Sequence, residues 1–306
     1  MAEIGILVVT YNSAAVIGPC LDAAVATGAE VLVIDNASSD GTAHLAARPG
    51  VRVVENSRNH GFSGAVNQGF SVLTCPYILL LNPDVVIHSS LEPLRDACES
   101  PRAAGAGGRL VSPQGHPQVG FMVREFPTPA ALSLEALLLN RVWPANPVNF
   151  RYRGLGLDYS VSQPVDQPAG AFLMIRRAVW EELGGFDETF WPLWFEDVDF
   201  CRRAAIRGYL WYYTPRAVAE HTGGHSILNL TLEMRRVYWY RSLLRYSGKH
   251  FRPLGMRAVC LAVVTGSLLR VLVEPALQWS LKPVAAYSRV IWLAGRYFFG
   301  RHEVAA

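Results

Sequence analysis

The segment W-F-E-D-V-D-F-C-R-R, Trp194 to Arg203, sets Glu196, Asp197 and Asp199 among aromatic and aliphatic neighbours. An ionised carboxylate taken out of water is costly unless a cation, hydrogen-bond donors or a proton compensates it, so three of them in an apolar run point to chemistry. Read as a helix beginning at Phe195, the run puts Glu196 and Asp199 on one face with Arg203 a turn further on, and turns Asp197 elsewhere. Asp197 is therefore the candidate general base. For Glu196 and Asp199, a helix N-terminus and pairing with Arg202 and Arg203 explain the charges equally well.

A second acid, Asp84, closes the run Y-I-L-L-L-N-P-D. A hard divalent cation takes oxygen ligands, needs only one or two carboxylates and completes its shell with phosphate oxygens and water, so Asp84 could join protein to a diphosphate. Taken alone, Asn-Pro-Asp is equally a turn after a strand. His221, in A-E-H-T-G-G-H-S, stands beside a glycine pair that lets backbone approach a ligand closely, and His225 competes for the same metal-binding role. The stretches V-V-T-Y-N-S and V-I-D-N-A-S-S-D-G-T present hydroxyl, amide and carboxylate groups suited to a nucleobase edge and a ribose. Neither G-x-G-x-x-G after the first strand nor G-x-x-x-x-G-K-[ST] occurs, which disfavours a Rossmann dinucleotide site and a P-loop.

The elements that must position these groups alternate through the first half. Apolar β-rich runs (4–10, 31–35, 51–54, 77–81) are separated by helical stretches around 15–26, from Thr42 and from Gly64. Continuous apolar strands between amphipathic helices predict an α/β, doubly wound, mostly parallel sheet covered on both faces. Ligands in such sheets sit at the carboxyl ends of the strands, where this chain places Thr10-Tyr11-Asn12, Asp35-Asn36, 56–59 and Asn82-Pro83-Asp84. From about Arg102 to Pro168 the pattern turns irregular and rich in Pro and Gly, with one apolar helical patch at 130–139, and reads as a functional loop region. A buried strand over 169–177, a helix ended by Gly184-Gly185 and a strand over 210–213 follow.

The chain has 306 residues, enough for one large domain or two smaller ones, and its 28 Lys+Arg against 25 Asp+Glu give a net charge of +3, too small to suggest a nucleic-acid partner. Five scattered cysteines without a C-x-x-C pair argue against a zinc knuckle and a disulfide framework and suit a reducing compartment. The apolar run at 4–10 is too short for a signal peptide or a membrane helix. Beyond Arg235 the composition becomes basic and aromatic, and two apolar stretches, 256–273 and 284–299, are slightly short or charge-interrupted for spanning a bilayer. They suit helices in a membrane interface, or a contact with a second subunit. The division expected is a catalytic domain over 1–234 and a C-terminal basic, aromatic helical extension over 235–306.

In order along the chain, T-Y-N (10–12), V-I-D-N-A-S-S-D-G-T (33–42), N-x-G-F-S-G-A-V-N-Q-G (59–69), L-L-L-N-P-D (79–84), G-A-F-L-M-I-R-R (170–177), G-G-F-D-E-x-F (184–190), the 195–203 run and the His221 segment resemble family 2 glycosyltransferases of the GT-A fold. The similarity is greatest to a bacterial rhamnosyltransferase branch that uses dTDP-sugars. Any one of these motifs is weak; their ordered set spans roughly three-quarters of the chain and is specific. The resemblance implies an inverting transfer of a sugar, a deoxyhexose such as rhamnose, from a dTDP- or UDP-sugar to a glycan or lipid-linked acceptor in cell-surface polysaccharide synthesis. It places Thr10, Tyr11, Asn12, Asp35, Asn36, Asn59, Gly61, Phe62, Asn67 and Asn82 around the nucleotide-sugar. Asp84 and His221 would bind Mg²⁺ or Mn²⁺, Asp197 would be the base, and Gly170, Trp194, Glu196 and Asp199 would lie on the acceptor side or support it. Asn82 stands where the family's Asp-x-Asp motif has its first acid, which weakens the expectation of tight metal binding more than that of activity. The location implied is cytoplasmic, peripheral at the inner face of the cell membrane. Two rivals are a catalytically silent nucleotide-sugar-binding protein that docks at membranes and a sugar-1-phosphate nucleotidyltransferase. The second expects a glycine-rich basic loop that Thr10 to Ser13 does not supply.

Overall fold

The computed structural model describes residues 2–223 and 230–300. Its centre is a nine-stranded mixed sheet. Strands β1 (Ile4–Thr10), β2 (Glu30–Asp35), β3 (Val51–Glu55) and β4 (Tyr77–Leu81) pair in parallel in the order β3-β2-β1-β4. Beyond β4 come β10 (Phe172–Arg176), antiparallel to both neighbours, then β6 (Ala103–Val111), β11 (Leu210–His221) and β5 (Val85–Ile87). Strand β8 (Gln163–Val165) adds to β11, while β7 (Val123–Arg124) and β9 (Gln167–Pro168) form a separate pair.

Helices cover both faces, as the continuous apolar strands require. On one side α1 (Ile17–Ala26) and α4 (Glu92–Cys98) pack Leu21 and Leu94 against Val8, Val33 and Leu79. On the other, α3 (Gly61–Val72), α8 (Arg177–Leu183) and α9 (Glu196–Ile206) bury Phe70, Trp180 and Phe200 against Leu7, Ile34 and Ile175. Three C-terminal helices, Leu232–His250, Pro253–Gln278 and Lys282–Phe298, build a third core with Phe190, Phe195 and α5 (Pro129–Ala136).

The doubly wound reading stands, with four differences of detail. The region expected to be irregular from Arg102 contains β6, a central strand. Its first six residues, A-A-G-A-G-G, are small because neighbours lie too close: a Cβ on Gly105 would sit 2.1 Å from the Met174 carbonyl, and one on Gly108 2.4 Å from the Phe172 ring. Helix α3 starts at Gly61 rather than Gly64, since the positive φ of 76° at Gly61 turns the chain into it. Strand β11 continues to His221 instead of stopping at 213, carried past Pro215 by a register shift against β6. The second C-terminal helix runs 26 residues, longer than the apolar stretch at 256–273, and its Pro253–Pro275 portion is long and apolar enough to cross a membrane by length and composition. The helix outruns the apolar stretch because Pro253 opens it at N1 and Pro275 lies within it, so neither proline marks an end.

Candidate active site

The carboxyl ends of β1 and β4 open into a cleft of about 470 Å³ whose lining includes Asp84, Asp197 and His221. Sheet topology brings the first and last of these together. Asp84 follows β4 in the turn leading to β5, and the antiparallel register that pairs His221 with Val85 sets the imidazole beside it. Nε2 of His221 lies 3.7 Å from Oδ1 of Asp84, and both side chains are buried. Phe121 stacks on the imidazole with centroids 4.9 Å apart.

Gln118 determines which nitrogen of His221 faces the acid. Its Nε2 donates to the His221 carbonyl at 2.7 Å, and a carbonyl can only accept. The amide oxygen must then be the atom 2.8 Å from Nδ1, so Nδ1 carries the hydrogen and Nε2 keeps a lone pair toward Asp84. Burial lowers the imidazole's pKa, with the Asp84 charge opposing, and so favours this neutral form. Among the described residues no hydrogen bond reaches the Asp84 carboxylate. A hard carboxylate beside an imidazole lone pair fits a divalent cation, Mn²⁺ more readily than Mg²⁺ because of the nitrogen. No group of three or more His, Cys, Asp or Glu side chains gathers among the described residues, so the remaining ligands would come from substrate oxygens and water. His225 lies outside the described residues.

Asp197 occupies the first turn of α9, which begins at Glu196, one residue later than Phe195. Trp194 and Phe195 both hold left-handed backbone, φ 79° and 69°, so the helix cannot extend backward through them. Phe195 is held in place by the third core, with its ring 5.4 Å from that of Tyr246. The Asp197 carboxylate accepts from the Gly170 amide at 3.1 Å and from the Val198 amide at 2.8 Å. A Cβ at Gly170 would stand 2.9 Å from Oδ2, so only glycine admits this approach. Burial raises the Asp197 pKa above the usual aspartate range, against the two amides and the Arg124 charge. Glu196 also lines the cleft; burial, reinforced by the Asp197 charge, raises its pKa well above the usual value, and its Oε2 finds no hydrogen-bond partner among the described residues.

Of the residues read from sequence, Thr10, Tyr11, Asn36, Asn59, Phe62, Asn82, Asp84, Gly170, Trp194, Glu196, Asp197 and His221 line this one cleft. Asn12, Asp35, Gly61, Asn67 and Asp199 are not among its lining residues. Asp35 accepts from Thr10 Oγ1 at 2.8 Å and from the Ser38 amide and hydroxyl, and Asn12 ties the Ser39 loop to β1. The Gly61 carbonyl fixes the Asn36 amide, and Asn67 clamps Phe186 through both its backbone groups. Asp199 points away, fully buried, receiving Arg203, Lys249 and His250 at 2.8, 3.0 and 2.7 Å. The three-carboxylate segment therefore divides its labour, Asp197 and Glu196 on the cleft and Asp199 as the anchor of its helix. Sequence reasoning missed Gln118, Phe121, Arg124, Glu135, Tyr152 and Arg153, all from the 102–168 region; no local signal marks them.

The family model described as Glycosyl transferase family 2 matches residues 5–184. The N-acetylglucosaminyl-diphospho-decaprenol L-rhamnosyltransferase of Mycobacterium tuberculosis is 33% identical over 211 residues, covering 64% of this chain and 67% of that protein. A low-salt glycan biosynthesis hexosyltransferase of Haloferax volcanii is 27% identical over 206 residues, covering 66% and 61%. Among solved structures, a mannosyltransferase from Pyrobaculum calidifontis in complex with GDP-Man and Mn²⁺ superposes with a TM-score of 0.53 at 18% identity, covering 98% of this chain and 83% of its own, a likeness that establishes the fold as GT-A. With the family model spanning more than half of the sequence, this chain is a member of the family 2 glycosyltransferases, similar to their rhamnosyltransferases.

Proposed function

We propose that the protein is an inverting glycosyltransferase that moves a deoxyhexose such as rhamnose from a dTDP- or UDP-sugar to a hydroxyl of a glycan or lipid-linked acceptor, in cell-surface polysaccharide synthesis at the cytoplasmic face of the membrane. The observation that carries this reading is the convergence of Asp84, Asp197 and His221 on one cleft at the polar edge of the sheet. Thr10, Tyr11, Asn36 and Asn59 line its nucleotide end. Asp197 takes the proton of the acceptor hydroxyl as that oxygen bonds to the anomeric carbon, and the bond to the diphosphate breaks on the opposite face with its electron pair leaving on the nucleotide. The Gly170 and Val198 amides hold the carboxylate in register for this step. Asp84 and His221 would hold Mg²⁺ or Mn²⁺, which supplies positive charge for the departing diphosphate. The Mn²⁺ in the mannosyltransferase structure and the diphospho-decaprenol acceptor in the name of the mycobacterial relative support the cofactor and acceptor classes.

A thermal-shift screen of dTDP-, UDP- and GDP-sugars with and without Mn²⁺ identifies the donor, and NMR of the product anomer reads the stereochemistry. General-base removal is worth about 10²- to 10⁴-fold, so Asp197→Asn should lose at least that much kcat while binding donor normally. In wild type, kcat/KM should fall as pH drops through a pKa above the ordinary aspartate range, because only the ionised base accepts the proton. Near-wild-type turnover in the variant excludes Asp197 as the base; donor binding without hydrolysis or transfer by wild type favours the silent binding protein.

A further inference from the structure

The second C-terminal helix has two unlike faces. Inward, Met256, Val259, Cys260 and Val263 are buried in the third core, and the buried Arg270 donates to the Ala136 carbonyl at 2.7 Å. Outward, Leu254, Leu261, Leu268 and Leu272 recur at spacings of seven, seven and four, one helical stripe, with Leu254 80% and Leu272 76% exposed. The stripe ends at Trp279, 95% exposed, in the turn before the third helix. A helix tied to its own domain along one whole side cannot be surrounded by lipid, so its length does not make it a span.

A second exposed apolar cluster lies on a neighbouring element. The end of α5 meets this helix so closely that a Cβ on Gly266 would sit 2.2 Å from the Ala136 carbonyl. Immediately beyond, Leu139, Val142 and Trp143 are exposed around α6 (Leu139–Val142), Val142 by 82%. Helix α5 also contributes Leu132 and Glu135 to the cleft lining. The leucine row and Trp279 form the exposed apolar surface of this hairpin, and the α6 cluster lies beyond the side of the helix that packs on α5.

We propose that this surface docks the enzyme on an anionic lipid bilayer, the helix lying in the plane of the interface with its leucine stripe among the acyl chains. Charge selects this occupant over a second copy of the chain. Residues 251–300 carry six basic side chains, Arg252, Arg257, Arg270, Lys282, Arg289 and Arg296, against the single acid Glu274. Arg252, Arg257 and Lys282 are exposed. Self-association through a two-fold axis would oppose like charges across the contact, whereas anionic headgroups complement them. Trp279, half apolar and half polar, suits headgroup depth. The arrangement would hold the enzyme at the membrane that carries a lipid-linked acceptor.

The test uses the full chain, without substrate, in flotation assays with vesicles of phosphatidylcholine alone or mixed with phosphatidylglycerol. Wild type should float with the mixed vesicles, lose binding as salt rises, and be released by alkaline carbonate. Each basic residue near the surface contributes about fivefold to partitioning, so Arg252→Gln with Lys282→Gln should weaken binding roughly tenfold or more. The triple variant Leu261→Glu, Leu268→Glu, Leu272→Glu should abolish flotation with an unchanged melting temperature, since all three side chains face outward. Failure of wild type to float, retention after carbonate, or a concentration-dependent dimer that the triple variant converts to monomer overturns the proposal. None of these readouts depends on sugar transfer, so they stand apart from the proposed reaction.

Discussion

Gln118 shows how one side chain outside the reacting groups sets their chemistry. Its amide bridges the carbonyl and the ring of His221, so the same residue fixes both the backbone position and the tautomer of a metal-ligand candidate. Partners of this kind are typically worth about 10- to 100-fold in metal affinity. Gln118→Leu is therefore expected to weaken Mn²⁺ binding by that factor, read by calorimetry in the presence of the nucleoside diphosphate. Asp84→Ala should weaken nucleotide-diphosphate binding only when metal is present; equal weakening in chelator would make Asp84 a turn residue alone. Asp197 carries a different energetic signature. Its folded pKa is raised, so ionisation favours the unfolded chain, and the native state loses stability as pH rises through the unfolded value toward the folded one. Asp197→Asn relieves that cost but can accept from only one of the two amides, so it should melt within a few degrees of wild type at neutral pH, which separates lost activity from lost folding.

Helix α9 carries the proposed base, and it is secured from behind. Asp199 gathers Arg203 from its own helix and Lys249 and His250 from the first C-terminal helix. Burial would raise its pKa, but the His250 hydrogen bond and the Lys249 and Arg203 charges outweigh it and hold the carboxyl below the usual range. Removing one partner from a buried charge cluster leaves the others uncompensated, at about 3 to 5 kcal/mol. Asp199→Ala should lose close to 3 kcal/mol, Lys249 being a third exposed, measured as a shift of the urea midpoint at unchanged slope. A loss under about 1 kcal/mol would show that α9 is held by apolar packing alone. Strand β6 teaches a complementary lesson about elements. Its Ala and Gly residues lack strand propensity, yet it lies between β10 and β11 because only small residues fit there.

At the scale of the molecule, the C-terminal helices share a core with the catalytic part. Phe190, Phe195, Leu132 and Ala136 pack with Tyr240, Leu243, Val259 and Tyr287, and Ser242 donates to the Leu193 carbonyl just before the strained pair that starts α9. Residues before and after 235 are thus expected to unfold together. Scanning calorimetry should give one endotherm, and two well-separated endotherms would mean that the extension folds independently.

The sequence by itself determined the sheet class, the polar strand ends and the presence of three acids in the apolar 194–203 run, because hydrophobic periodicity and residue type are local properties. Helical spacing groups Glu196 with Asp199 and sets Asp197 apart, whereas the structure puts Glu196 beside Asp197 on the cleft; Asp84 and His221 become candidate ligands once the ordered motifs are taken together. Tertiary structure alone decided that β11 pairs with β5 and so brings His221 to Asp84, that Gln118 sets its tautomer, and that Arg124 and Arg153 reach the cleft from a segment without periodicity. It also decided that a helix long enough to span a membrane has one side committed to Ala136 and Tyr287. Each of these depends on contacts between residues distant in the chain, where pairing register and packing, not composition, fix what meets what.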